Sequence, residues 1–432
     1  MRDLIKDKKQ LIILITSFIL ISYFGFSLHL LEVKSVTWDD LSMAMTGYDL
    51  SSYIFMAYDQ SRVSFFMNSL LMGVPYIFDN HIYFKIVQIL TNIASVVSIG
   101  VLLGILFKNK YLWYVYSILA LTLWQNSDGH NLLVSYSFYA ASAIFTLSIS
   151  SIFFVYFLRS RKNIYLIISL VAWIITYKGT EFYPMYFPMF FFIAYFESSK
   201  DFFKEKVKDS FLKIKWHVLT TFILFILYVG FRVLVGAEYG GRSLGFDLNG
   251  FFSSLVTYSI GLAPGMQFYF NFKDSSFYEL ISLIDSFIIL VSILVVYLLI
   301  IFKEKIQQIE LPGKNFLLVI LYLTLAPNFL ISLTFKYQYY VSFHEVNNYL
   351  YSAFSFFAIL LIMIIALVRL KKNSYYYILV FVISIFVVIT QVNNKVIGAK
   401  QSQYSEKYSL LDALLDSSYV SDKKEGFTIL AP

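Results

Sequence analysis

The sequence predicts an all-α polytopic membrane protein of about eleven transmembrane helices, with two amphipathic helices lying on the membrane surface in the first outer loop. Three observations predict it. The chain of 432 residues is 59% hydrophobic and 14% charged, where a soluble domain carries about 25% charged residues. Its apolar runs recur at lengths near 20 residues, the helical thickness of a bilayer core. Most of its Lys and Arg sit in short turns between those runs, on one side of the predicted membrane. The net charge of +7 therefore orients the chain in a bilayer and does not point to nucleic acid. The absence of cysteine excludes disulfides, thiol nucleophiles and cysteine metal sites.

Segment 11–31 is the first span, and Arg2, Lys6, Lys8 and Lys9 before it hold the N-terminus in the cytoplasm. Its apolar run of about 20 residues and the lack of a small-residue cleavage site set it apart from a cleaved signal peptide. Residues 32–80 form the first outer loop. Within it, 40–57 and 61–77 mix apolar residues with Asp, Ser, Asn and Arg, which reads as two helices lying on the surface. If 61–77 crossed, Lys108 and Lys110 would face outward, against the positive-inside rule. Segment 82–107 returns to the cytoplasm, 111–125 goes out, and 136–158 comes in to Arg159, Arg161 and Lys162.

Segments 163–177 and 182–196 make a tight pair around Lys178-Gly179-Thr180-Glu181, with Pro184 and Pro188 interrupting the second. The cytoplasmic stretch 197–216 is rich in lysine. Segment 217–236 goes out to a second long outer loop, 237–277. Segment 278–302 comes in, 316–334 goes out, 335–349 is an outer loop, 350–368 comes in to Arg369, and 375–391 goes out. On this reading 1–391 is the transmembrane domain. The polar tail 392–432 is extracytoplasmic and could begin a small outer domain.

Within the spans, Arg232 and Asp285 are the clear ionisable residues, both near outer ends. The other polar candidates gather at the outer boundary. Trp38-Asp39-Asp40 leads them. Transfer of a sugar needs a base to take the acceptor's hydroxyl proton, and a carboxylate partly desolvated at a membrane surface has its pKa raised toward a useful value. Neighbouring helical residues point about 100° apart, so one of the two aspartates faces the reaction. The alternative is that one of them caps the helix starting at 41, worth about 1 kcal/mol. Trp38 stacks on a sugar face or sits in the interfacial aromatic belt.

Arg62 can grip a lipid phosphate as a bidentate fork, or snorkel at the interface. Lys178 and Glu181 can bind phosphate and sugar hydroxyls, or pair with each other. Arg242 lies in a glycine-containing outer loop able to close over a substrate, or simply solvated. His130, His344 and Glu345 are candidates for hydrogen bonds to sugar or phosphate. A divalent metal is not favoured, since five histidines include no His-Glu-x-x-His pair, and no cofactor is expected.

Asp39-Asp40-Leu41, Thr46-Gly47-Tyr48, Ser61-Arg62, then Gly73-Val74-Pro75 and Asp79 resemble the start of the O-antigen glucosyltransferase II family. Ser61 stands where that family has Gly. The resemblance covers about residues 35–80 and is architectural beyond them. It implies a GT-C-like fold and an inverting, metal-independent glycosyltransferase on the outer face of a bacterial cytoplasmic membrane. The implied donor is a polyprenyl-phosphate hexose, with glucose the first choice. The implied acceptor is a surface glycan, such as lipopolysaccharide O-antigen, or its lipid-linked precursor. Asp39 or Asp40 would be the base, with Arg62, Lys178 and Arg242 on the donor phosphate. Trp38, His130, Glu181, His344 and Glu345 would hold sugar or acceptor. Two other classes remain open. A transporter or flippase of lipid-linked glycans would need a polar path across the membrane, and a polymerase would work through large outer loops without needing Asp39-Asp40.

Overall fold

The computed structural model describes residues 13–27, 50–59, 81–127, 139–179, 183–236, 247–311, 314–342 and 352–415. Among these residues the chain is helical and contains no β-strand. Four helical stretches are long and apolar enough to cross a membrane: Lys85–Leu106, Ala141–Ser160, Lys215–Val235 and Asn373–Gln403. Shorter apolar helices include Ile13–Phe26, Asn163–Tyr177, Ser286–Ile301 and Ser355–Arg369.

The chain opens with α1 (Ile13–Phe26), whose last turns widen into a π-helix over Ile21–Ser27. The short α2 (Leu50–Asp59) is the described part of the first predicted surface helix. A long α3 (His81–Leu106) turns through Lys108, at φ 52°, into α4 (Lys110–Leu123). Asn109 starts α4 by accepting from the N–H groups of Tyr111 and Leu112 at 2.9 and 3.2 Å, filling donors that a helix start leaves open. The pair α3 and α4 approach closely at Gly100 and Gly104. A Cβ on Gly100 would overlap the Ser117 hydroxyl and stand 3.0 Å from the Trp113 carbonyl, and one on Gly104 would stand 3.1 Å from Trp113 Cβ. Small residues four apart allow such contact where no hydrophobic force separates helix from lipid.

Next come α5 (Tyr139–Ser160) and α6 (Asn163–Gly179), joined at Arg161, then a 3-10 turn (Tyr183–Tyr186) and α7 (Pro188–Phe196). Pro188 separates that turn from α7, as its missing N–H and fixed φ dictate. The lysine-rich stretch folds as α8 (Phe203–Lys213), and α9 (Lys215–Val235) follows. Burial runs from 67% along Ala141–Ser160 to 6% along Lys215–Val235, so α5 is central and α9 peripheral. The central helix packs on α3 and α6.

The described part of the expected second outer loop is not irregular. It contains α10 (Leu248–Ile260) and α11 (Met266–Phe272), and Asp247 caps α10 through the N–H groups of Asn249 and Gly250. The span expected over 278–302 is two helices, α12 (Phe277–Ser282), which closes at Leu283, and α13 (Ser286–Ile301), which Asp285 caps. Then follow α14 (Lys303–Gln307), α15 (Lys314–Ser332), α16 (Phe335–Ser342) in the expected loop 335–349, and α17 (Ser352–Arg369). The last helix, α18 (Asn373–Leu415), runs 43 residues and continues well past Gln391, where the apolar run ends.

The bundle has two chemically distinct ends. At one, Arg159 bonds Glu197 through Nε at 3.0 Å and the Leu106 carbonyl at 3.2 Å. Lys303 meets Asn373, Gln307 Nε2 donates to the Leu370 carbonyl at 2.7 Å, and Lys371 caps the Gln307 carbonyl. Phe107, Phe196 and Phe316 form a ring cluster beside them. This basic end collects the turns that the sequence assigns to the cytoplasm. The first helix runs away from it: Leu14 packs near Tyr111 and Phe302, whereas Gly25 lies against Thr122 and Val291.

Candidate functional site

At the opposite end the polar groups are mostly amides. After Leu123 the chain leaves helical geometry at Trp124, and the last carbonyls of a helix have no partner within it. In a low-dielectric bundle they must be satisfied by something else. The final helix supplies the donors. Gln391 Nε2 donates to the Thr122 carbonyl at 2.9 Å and Asn394 Nδ2 to that of Trp124 at 2.7 Å. Asn393 Nδ2 donates to Asn126 and Gln401 Nε2 to Ser127, both at 2.8 Å. In return the Asn126 N–H donates to Asn394 Oδ1 at 2.7 Å. Positions 391, 394 and 401 share one helical face, so the ladder is written at spacings of three and seven.

Gln125 extends the network. Its Oε1 accepts the Gln267 N–H at 2.8 Å, its Nε2 donates to the Ala263 carbonyl at 2.9 Å, and Asn271 Nδ2 donates to Asn393 Oδ1 at 2.8 Å. The loop 124–127, α11 and α18 are thereby locked together. Segment 128–138, which carries His130, starts from this fixed point. Among the described residues, Asn126 Oδ1 and Gln401 Oε1 are buried in the network without a hydrogen-bond partner.

Asp285 belongs to the same end. The sequence places it inside a span, but it stands just before α13 and caps it, accepting from Phe287 and Ile288 at 3.0 Å each. Its Oδ2 pairs with Lys395 Nζ at 2.9 Å, and Lys395 also donates to the Leu283 carbonyl at 3.2 Å. Burial pushes the Asp285 carboxyl up, but Lys395 and the two helix N–H groups outweigh it and hold the carboxyl below its ordinary 3.8. The residue is a cap and an ion pair, which is a structural role. Arg232, the other predicted intramembrane ion, donates to the Tyr228 hydroxyl at 2.8 Å. Next to it Phe231 touches Tyr58 of α2, with ring centroids 5.5 Å apart. Here α2 touches the end of α9, after which the segment bearing Arg242 begins.

One buried ion escapes the sequence reading. Lys85, one turn into α3, is 2% exposed and donates to Gln88 Oε1 at 2.9 Å. Asn92 and Ser95, one and two turns further along, are buried as well. The signal was the spacing Lys85, Gln88, Asn92, Ser95, which puts four polar side chains on one face of an otherwise apolar helix.

Of the predicted site residues, Trp38, Asp39, Asp40, Arg62, His130, Glu181, Arg242, His344 and Glu345 lie outside the described residues. For Lys178 the backbone alone is described, in the last turn of α6. Since α5 meets Arg159 at the basic end and α6 returns from there, Lys178 belongs to the opposite end. Among the described residues no three His, Asp or Glu gather where they could hold a metal ion. No protein-family model, curated protein or solved structure matches this chain.

Proposed function

We propose that this chain is an inverting membrane glycosyltransferase of GT-C type. It moves a hexose, glucose in the first instance, from a polyprenyl-phosphate donor to a cell-surface glycan or its lipid-linked precursor. In this reading about eleven helices cross a bacterial cytoplasmic membrane, with the N-terminus inside and the amide end outside. Asp39 or Asp40 takes the acceptor hydroxyl proton. The freed oxygen attacks the anomeric carbon from the face opposite the phosphate, the carbon–oxygen bond to phosphate breaks, and polyprenyl phosphate leaves. Arg62, Lys178 and Arg242 stabilise the charge that develops on the leaving oxygen, which fixed cations do without reorganisation. Trp38, His130, Glu181, His344 and Glu345 hold the sugar and the acceptor.

The observation that carries the reading is the adjacent Asp39-Asp40 pair in the sequence that follows α1. Its supporting geometry is the direction of α1: Gly25 lies level with Thr122 and Val291. The first outer loop therefore starts at the amide end, away from the basic turns. The test is direct. Purified protein in detergent receives polyprenyl-phosphate glucose and a candidate glycan acceptor. Transfer with inversion at the anomeric carbon supports the proposal. Lipid translocation in vesicles without any transfer contradicts it and points to a flippase.

A further inference from the structure

We infer that the exposed face of α8 is a docking surface for anionic phospholipid, with Lys204 and Lys208 on headgroup phosphates and Phe211 and Leu212 against the chains below them. Between Lys200 and Trp216 six lysines stand against three acids. One side of the helix faces the bundle: Lys206 lies over the Tyr195 ring at 5.5 Å, Ser210 is buried, and Lys213 pairs with Asp209 at 2.6 Å. At about 100° per residue, Lys204, Lys208, Phe211 and Leu212 share an arc of roughly 100° on the other side. All four are exposed. Among the described residues neither Lys204 nor Lys208 pairs with a carboxylate. Residues four apart on a helix stand about 6 Å from each other, so both ammonium groups can reach one phosphate or two adjacent ones.

The course of α8 says what covers this face. The preceding α7 reaches the basic end at Glu197, which pairs with Arg159. From there α8 runs back along α7: Phe203 meets Tyr195 with ring centroids 6.2 Å apart, and Phe211 meets Phe191 at 4.9 Å. Between those two contacts α8 advances about 12 Å while α7 falls by about 6 Å. The helix therefore slants across the basic end instead of standing out from it. Ile214 joins it to α9 without a loop, its carbonyl accepting the Val218 N–H at 3.0 Å. That next helix is the least buried of the four long apolar ones, so α8 ends where a lipid-facing span begins. Lysines set among exposed Phe and Leu at such a place suit neither water nor hydrocarbon. An anionic headgroup layer takes both, since phosphates bind the ammonium groups and the chain region receives the apolar side chains. The flexible lysine stems let the charges reach up while the apolar neighbours stay down. A soluble acidic protein would match the lysines but leave Leu212 and Phe211 in a charged contact. The surface does not require transfer chemistry.

The experiment titrates phosphatidylglycerol, and separately phosphatidylcholine with the same chains, into the full-length protein in detergent. Phosphatidylglycerol should bind more tightly. The double variant Lys204→Gln/Lys208→Gln should weaken it roughly 25-fold, about fivefold for each lysine near an anionic surface. Lys162→Gln/Lys372→Gln makes the same charge change elsewhere at the basic end and should stay within about threefold of the parent, because distant charges are screened. Equal affinity for the two lipids overturns the proposal, and so do unchanged affinity in the first double variant or equal losses in both. The apolar half is tested in phosphatidylglycerol vesicles by a nitroxide on Leu212→Cys, which is the sole thiol in a chain without cysteine. The label should collide more with oxygen, which concentrates among the lipid chains, than with a water-soluble nickel complex. The reverse would put this face in water and favour a soluble acidic partner over lipid. The proposed function and this surface fail separately: loss of sugar transfer leaves the lipid preference untouched, and loss of the lipid preference leaves the transfer reaction untouched.

Discussion

Asn394 shows how much a single side chain does at the amide end. It donates to the Trp124 carbonyl and accepts the Asn126 N–H, both at 2.7 Å. Replacing it with leucine keeps the branched shape and strands two buried backbone groups. Intramembrane hydrogen bonds average below 1 kcal/mol each, but an orphaned backbone group adds its own desolvation cost. Asn394→Leu should therefore destabilise the protein by about 2 kcal/mol, read as a lower unfolding temperature in detergent. An unchanged unfolding temperature would mean that the ladder does not hold the loop. The amides were visible in the sequence only as polar residues, and polar residues after an apolar run read as an exit from the membrane. Their real targets are carbonyls in the last turn of α4 and in the loop that follows it, more than 250 residues away in sequence, and no local pattern announces such a contact. Lys85 was overlooked for a related reason. One lysine at the start of a long apolar run hardly changes its mean hydropathy, and only the spacing to Gln88 and Asn92 distinguishes it.

At the scale of elements, the long apolar helices were legible because length and basic ends are local properties. Asn163–Gly179 and Lys215–Val235 lie within a few residues of the spans expected for them. The helices of the second outer loop were not legible, since glycines and aromatics there looked like loop composition while Asp247 and Ser276 were serving as caps. The break before α13 is not legible because an aspartate in an apolar run reads as an ion within a helix, whereas Asp285 starts one. The contact between α3 and α4 depends on Gly100. In Gly100→Ala the new methyl would collide with Ser117 and press on the Trp113 carbonyl at 3.0 Å. The two helices would have to separate, at a cost of about 1–3 kcal/mol. The same substitution at Gly230, which has open space around it, should have little effect. Thermal unfolding of the two variants side by side checks this, and equal stability would show that α3 and α4 are not held by close approach.

For the whole molecule, the distinction between a basic end and an amide end makes a topological claim. The chain has no cysteine, so single cysteines can be introduced without a background. With the proposed orientation, an impermeant thiol reagent applied from outside should label Asp274→Cys, beyond α11, and should not label Lys162→Cys, beside α5. The reverse result would put the Asp39-Asp40 loop in the cytoplasm and remove the outer-face reaction. The candidate site divides in the same way. Its carboxylates and most of its cations were legible as residue types at one boundary, but they come from segments 28–49, 60–80, 128–138, 180–182, 237–246 and 343–351, which no local pattern joins. The proposal that they meet rests on how the helices that carry those segments are bundled.

The central claim is that Asp39 or Asp40 serves as the base for hexose transfer from a polyprenyl phosphate. It is tested most directly by the rate of transfer from polyprenyl-phosphate glucose in the parent protein, Asp39→Asn and Asp40→Asn, with all three shown to be folded. Removing a general base costs typically 10²–10⁴-fold, so at least one variant should lose a factor of ten or more while still binding polyprenyl phosphate. Transfer at the parental rate in both variants would contradict the catalytic role of this pair.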